Sequence, residues 1–556
     1  MSASNDAPSN TMETYDLIVV GGGSAGCAMA ARLADAGLSV LLLEAGKSDR
    51  DIRLLVPALT IAAVHNPAYD WGYPAEPDPS IGGRADKWPA GKRLGGGSSI
   101  NGMIYVRGHR RDYDRWAALG ATGWGSKDVL PYFARMETTD RKGEGRGGDG
   151  PISVVANRVH YPVVDAFVDA AVSYGIPRNP DHNGAVSGEG TDLAQTTQFN
   201  GMRCSSARGY LRSGPPRPTL TVQTEALVRR VLIEDKRAVG VEFDAGGVTR
   251  VARSRDGVVL SAGSIGSPRI LMLSGIGPAA HLRAHGIAVA ADLPGVGGNL
   301  QEHVGTHIVA RVRGSTVNSD SRGLPAIKQG LDYLFRRRGA VSSSMCHAQA
   351  FVHTNPAEPV PDVQVSFTAF AFDINAVGRA VLRKEPAISL TVCLARPGSR
   401  GRISLRSANP FAPPLIEHQL LGDPTDVNKL VRGIEIGREI LRQTPIAPYI
   451  IEEIRPGPEV GSEDLPGYLR AASIPLYHPV GTCRIGTDKD AVVDPDLKVH
   501  GVAGLWVADA SVMPTIPVGN TNATAIMIGD KGADHVLKSL RRNARAAPAG
   551  AASLTA

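Results

Sequence analysis

The chain has 556 residues and a mass of 58.4 kDa, with 42% apolar and 21% charged residues, which is ordinary for a globular protein and too long for one hydrophobic core. Its formal charge of +6 is small for that length, and no Lys/Arg block or basic helix stands out. Composition therefore argues against a nucleic-acid partner and gives no sign of a membrane surface. No run reaches the roughly 20 apolar residues that a membrane-spanning helix needs, so a soluble protein is expected.

The first 13 residues are polar and lack the pattern of a secretory leader. Five cysteines (Cys27, Cys204, Cys346, Cys393, Cys483) lie far apart with no CxxC pair. That spacing argues against a metal site or a disulfide framework and predicts a reducing, cytoplasmic location. Residues 15–20 (YDLIVV) read as a buried parallel strand, residues 27–36 as a small-residue helix stopped at Gly37, and residues 38–43 as a second strand ending at Glu44. Between the first strand and the helix lies Gly21-x-Gly23-x-x-Gly26, completing a βαβ unit with an acid at its end.

Residues 49–114, rich in Gly, Pro, Trp and Tyr, form a stretch too long for an idle connection and are expected to cover a ligand. Residues 219–251 alternate like a meander, residues 257–262 read as another buried strand, and a helix is expected from about Pro268. Strand-like pieces at 363–367, 388–394 and 401–405, with a helix over 424–443, suggest a second, sheet-plus-helix domain. Residues 505–508 return to the buried-strand pattern and residues 524–540 to a helical one. The expected organisation has a nucleotide-binding domain in three segments (14–155, 219–312, 471–541). A substrate-domain segment and connection at 156–218, a substrate domain at 313–470, and flexible tails at 1–13 and 542–556 complete it.

The glycine turn has a physical reading. Gly21 makes the tight turn, Gly23 lets a pyrophosphate approach bare backbone, and Gly26 lets the helix pack on the strand, while the helix N-terminus supplies N–H donors and positive dipole. Glu44 can accept both ribose hydroxyls of an adenosine and disfavours a 2′-phosphate. This motif alone does not separate FAD from NAD.

Two further blocks do so by likeness. Residues 91–103 (GKRLGGGSSINGM), continuing to Asp114, resemble the first signature of the glucose–methanol–choline oxidoreductase family, and residues 263–277 (GSIGSPRILMLSGIG) are similar to the second. The stretch from His478 through residues 507–514 to Asn522 resembles the family's C-terminal block, in the family's order. The resemblance implies an α/β fold: a Rossmann-like, glutathione-reductase-type FAD-binding domain built from discontinuous segments, plus an α+β substrate-binding domain.

It also implies FAD contacts at Gly21, Gly23, Ser24, Ala25, Gly26, Glu44 and Ala45, at Leu94, Gly96 and Ser98, and along Asn101, Gly102, Met103 and Ile104 beside the flavin ring. Val228 matches the position at the adenine and Asp509 the one at the ribityl chain, with Ala262, Ala510, Thr521 and Asn522 completing the cradle. Ile100 stands where some family members carry a histidine bonded to the flavin, so non-covalent FAD is expected.

An alcohol gives up hydride only as its hydroxyl proton leaves, so the site needs a base. His478 matches the family's catalytic histidine, and Asn520 holds its second position, able to hydrogen-bond the substrate oxygen but not to act as a base. The resemblance thus implies oxidation of a small-molecule alcohol, most simply a primary one, to the aldehyde. Reoxidation would fall to oxygen, a quinone or another acceptor, and the oligomeric state is left open. A hydroxynitrile lyase and a fatty-acid photodecarboxylase are the alternatives on this scaffold. The latter draws on Cys346, but Ser366 stands where its arginine would be expected. His303 is read as structural, His347 as packed, and no metal site is expected. No aromatic cage or carboxylate that would single out choline is legible.

Overall fold

Two seven-stranded sheets organise the chain in the computed structural model, which describes residues 13–184, 188–374 and 380–546. Residues 1–12 and 547–556, most of the two expected tails, lie outside the described residues. The chain is mixed α/β, as expected. In the first sheet Thr14–Val20 runs parallel to Val40–Leu43 on one side and to the end of Val248–Leu260 on the other. Leu220–Gln223 extends it beyond Val40–Leu43, and Leu505–Val507 pairs with residues 258–260. Val248–Leu260 is shared: its first half closes an antiparallel meander with Arg237–Ala245 and Ala226–Glu234. The changeover falls near Gly257, whose backbone passes so close to Gly504 that no Cβ fits.

The elements begin and end where backbone donors dictate. The glycine-turn helix is Ser24–Asp35, starting three residues before the expected one, because Cys27 N–H already pairs with the Gly23 carbonyl. Leu38 N–H closes that helix on Leu33, so the second strand starts only at Val40. Helix Gly263–Leu273 runs through Pro268 rather than starting there. A proline inside a helix orphans the carbonyl four residues back. Here that carbonyl, Ser264 O, accepts a hydrogen bond from Thr482 Oγ1 at 2.6 Å.

The second sheet is antiparallel, in the order Ile450–Arg455, Val304–Val312, Ala387–Leu394, Val363–Thr368, Ala348–Val352, Gly190–Leu193, with Ile474–Pro475 as a seventh strand on the start of Val304–Val312. It takes in Val304–Val312, a segment the sequence reading grouped with the nucleotide-binding part. Alternation decides the two faces. Ile308, Val363, Val365, Phe367, Leu390 and Val392 point into an apolar core. Helix Pro424–Leu441 lies on that side, where Gly433 and Gly437 bring it within contact of Val392 and Ile308. The intervening residues face the other way, toward the first sheet. Among the described residues no helix is long and apolar enough to cross a membrane.

Candidate active site

A cavity of about 1670 Å³ runs between the two sheets, from the glycine turn to the polar face of the second sheet. At one end the Ser24–Asp35 helix N-terminus and the glycine turn meet residues 96–104. Gly96 approaches so closely that a Cβ on it would lie 2.7 Å from Gly23 Cα, and a Cβ on Gly21 would lie 2.5 Å from Ser261 O. Glu44 is buried behind the turn. Its carboxylate accepts from Gly22 N at 2.9 Å and Gly46 N at 2.7 Å, and burial pushes its pKa up to about 7. Asp509 is held similarly, accepting from Gly263 N (2.9 Å), Ser267 Oγ (2.6 Å) and Ser511 N (2.8 Å). Asn522 opens helix Asn522–Ala546, and its Oδ1 accepts from Ser24 Oγ at 2.7 Å, tying the chain's last helix to its first.

Most residues expected at the cofactor line this cavity: Gly21, Gly23, Ser24, Ala25, Glu44, Ala45, Gly96, Asn101 through Ile104, Val228, Ala262, Asp509, Ala510, Thr521 and Asn522. Three do not. Gly26 packs against the Gly21 carbonyl, Leu94 supports Gly22, and Ser98 spends its hydroxyl on Gly95 O and Ser206 N. These three shape the cradle from behind. Part of the stretch 49–114 lines the cavity, through Thr60, Trp71, Asp86 and, on the pair Tyr73–Pro74/Lys87–Trp88, Tyr73 and Lys87.

His478 and Asn520 come together in the cavity, 42 residues apart in sequence, with His478 Nε2 3.1 Å from Asn520 Nδ2. The backbone leading into His478 is held out of its ordinary range: Tyr477 has φ 68°, as Met103 has φ 64° across the cavity. Glu302, buried beneath, accepts the His478 backbone N–H at 2.7 Å.

His303 is the residue sequence reasoning undervalued. It is wholly buried, with Nδ1 3.0 Å from His478 Nδ1 and Nε2 3.0 Å from the Ala395 carbonyl. A carbonyl can only accept, so His303 Nε2 carries the proton. Burial holds the His303 pKa down at about 4, against the raising effect of the Ala395 and Pro517 carbonyls, so the ring is neutral; with its one N–H given to Ala395 O at 3.0 Å, Nδ1 is the acceptor. The facing Nδ1 of His478 is therefore the donor. His478 is itself pushed well below the ordinary histidine range, by burial first and by His303 second. The result is a neutral imidazole whose lone pair sits at Nε2, where it accepts from Asn520 Nδ2.

The far wall is the polar face of the second sheet: His307, Gln364, Ser366, Thr368, Ser389 and Thr391, with Arg455 at the edge. Its signal was legible as the alternation V-Q-V-S-F-T over 363–368 and I-S-L-T-V-C over 388–393. Gln364 Nε2 sits 3.4 Å from Asn520 Oδ1 and 3.1 Å from Gln349 Oε1, orienting the Asn520 amide. Arg203 was also missed. This buried guanidinium spends its donors on Leu54 O, Ser98 O, Thr60 Oγ1 and both oxygens of Asn101, all neutral acceptors, and so clamps the 96–101 turn. Cys346 and His347 are buried outside the cavity lining. Cys346 Sγ donates to Ala348 O, and His347 hydrogen-bonds Ser343 Oγ and Ala369 N.

Comparison with known proteins gives one answer throughout. Residues 15–305 and 397–529 match the N- and C-terminal models of the GMC oxidoreductases. Among curated relatives, an oxygen-dependent choline dehydrogenase of Sinorhizobium medicae (strain WSM419) is 42% identical over 94% of this chain and 95% of its own. Among solved structures, pyridoxine 4-oxidase from Mesorbium loti superposes with a TM-score of 0.83 at 29% identity, covering 93% of this chain and 98% of that one. A formate oxidase of Aspergillus oryzae RIB40 gives 0.88 at 26% identity, covering 95% and 99%.

Proposed function

The chain belongs to the GMC oxidoreductase family and is an FAD-dependent oxidoreductase of CH–OH groups; from that premise we propose that it oxidises an uncharged primary alcohol to the aldehyde, with His478 as the base. The observation that carries the reading is the chain Ala395 O–His303–His478–Asn520, which turns the Nε2 lone pair of His478 into the cavity beside the Asn520 amide. The cradle fits FAD. A glycine pair too close for side chains, two helix N-termini, Glu44 for ribose hydroxyls and Asp509 for the ribityl chain all line one cavity. Ile100 offers the flavin no nucleophile, so the cofactor is held without a covalent bond. When bound, FAD supplies the hydride acceptor.

An alcohol hydroxyl entering between His478 and Asn520 replaces their mutual contact with two bonds. Its O–H donates to His478 Nε2 and its oxygen accepts from Asn520 Nδ2. His478 takes the hydroxyl proton at Nε2 as hydride leaves the carbon, and the alcohol becomes an aldehyde. The charge gained by His478 is shared through its Nδ1–H with His303 Nδ1. Asn520 cannot compete for the proton, and Gln364 keeps its donor end toward the substrate oxygen.

Substrate charge follows from the far wall. Among the described residues that line the wall there is no carboxylate, and Arg455, the one cation, is paired behind it with Asp373 at 3.7 Å, so the wall offers a quaternary ammonium no free counter-charge. A second reading, choline, rests on the curated relatives and on Asp86, which shares the covering segment with Trp71 and Tyr73. However, Lys92 Nζ already lies over the Trp71 ring at 4.6 Å. Choline and its uncharged isostere 3,3-dimethylbutan-1-ol separate the two. The proposal expects kcat/KM with a soluble dye to favour the isostere, and a strong preference for choline would overturn it.

A further inference from the structure

Helix Gly323–Arg336 is built inside out. Leu324, Ile327, Leu331, Leu334 and Phe335 are 81%, 61%, 50%, 60% and 77% exposed, whereas inward only Tyr333 is buried. At 3.6 residues per turn these five side chains fall within an arc of roughly 100°. They are therefore one continuous apolar stripe facing solvent, five of the seventeen large apolar residues exposed among the described residues. Among the described residues none buries it.

The stripe is framed by cations, so a basic helix does stand in this chain although none was singled out from the sequence. Residues 322–338 contain five (Arg322, Lys328, Arg336, Arg337, Arg338) against one carboxylate, Asp332, which lies 3.6 Å from Arg336. Arg337 closes the helix in a left-handed conformation, φ 55°, where the chain turns back. At the other end Arg322 donates to the Leu382 carbonyl at 3.2 Å, bringing exposed Val381 alongside. Val381 also lines the substrate end of the cavity. The apolar, basic surface therefore borders the cavity.

We propose that this face seats the enzyme on the surface of an anionic lipid bilayer. An apolar stripe sinks into the boundary between headgroups and acyl chains while flanking Lys and Arg hold anionic headgroups. The charge pattern disfavours a second copy of this chain as the occupant. Cations stand at both ends and in the middle of the helix, so either helix orientation sets cation against cation. Seated this way, the cavity's substrate end lies beside the membrane, within reach of bilayer-dissolved alcohols and electron acceptors. The inference is independent of which alcohol the site oxidises.

The test uses the FAD-loaded full chain, sedimented with vesicles of phosphatidylcholine alone or mixed with phosphatidylglycerol. The parent is expected to co-sediment with the anionic vesicles, less with the neutral ones, and less again in high salt. A Leu331→Glu/Phe335→Glu variant should lose binding by roughly ten-fold or more. Arg336→Gln/Arg337→Gln/Arg338→Gln should lose the preference for anionic vesicles. Bound-flavin absorbance and turnover with a soluble dye should stay parental in both, showing that the variants fold. Three outcomes overturn the proposal: a parent that does not sediment, a parent that binds neutral and anionic vesicles alike, or equal binding by parent and Glu variant. If light scattering shows a parental dimer that Leu331→Glu/Phe335→Glu dissociates, the face is a contact between copies and the bilayer is excluded.

Discussion

Replacing His303 isolates the claim that a second-layer residue sets the tautomer of the base. His303→Ala removes the acceptor 3.0 Å from His478 Nδ1 and leaves a buried N–H without its partner. A lost buried partner costs about 1–3 kcal/mol. His478 can relieve that cost by moving its proton to Nε2, where the cavity can accept it, but that tautomer has no lone pair for the alcohol. If the whole difference falls on the reactive form, the rate of flavin reduction drops roughly 5- to 150-fold, at about 1.4 kcal/mol per decade. His303→Gln is the control. Its amide oxygen can accept from His478 Nδ1 and its amide nitrogen can donate to Ala395 O, so it should recover most of the loss. The assay is anaerobic stopped-flow reduction of the bound flavin at saturating alcohol, normalised to flavin content. A His303→Ala enzyme with parental rate and full flavin, or a Gln variant no better than Ala, would refute the tautomer argument.

His478→Ala should keep its flavin and lose reduction by alcohol by about 10²–10⁴-fold, as expected for a lost general base. In the parent, burial holds His478 well below the ordinary 6.5, so the base stays deprotonated and the acid limb of the reduction rate lies below that pH. A limb centred at or above 6.5 would contradict the assigned burial. Glu44 makes an opposite statement about stability. Burial raises its pKa from 4.5 to about 7, so the folded apoprotein binds the proton more tightly than the unfolded chain. Its contribution is present below pH 4.5 and is lost as pH rises through 7. The apoprotein's melting temperature should therefore fall more between pH 5 and 8 than that of Glu44→Gln. Parallel curves would show that the carboxyl is not buried as described.

Local sequence was enough to determine the βαβ unit, because strand, bare turn, small-residue helix and terminal acid lie within about 30 residues and each obeys backbone sterics alone. It also singled out His478 and Asn520, through the blocks that surround them, as the pair proposed here to act on the alcohol. Three things were decided only by tertiary structure. The extension of a helix through Pro268 depends on Thr482, a residue more than 200 positions away that satisfies the orphaned carbonyl. The pairing of His303 with His478, and the tautomer it imposes, depend on a carbonyl from the end of a third strand. The apolar stripe at 324–335 has the periodicity of an ordinary amphipathic helix, and sequence carries no sign of which way such a stripe faces. Periodicity is a property of one segment, whereas burial and hydrogen-bond partners belong to whatever the rest of the chain brings alongside it.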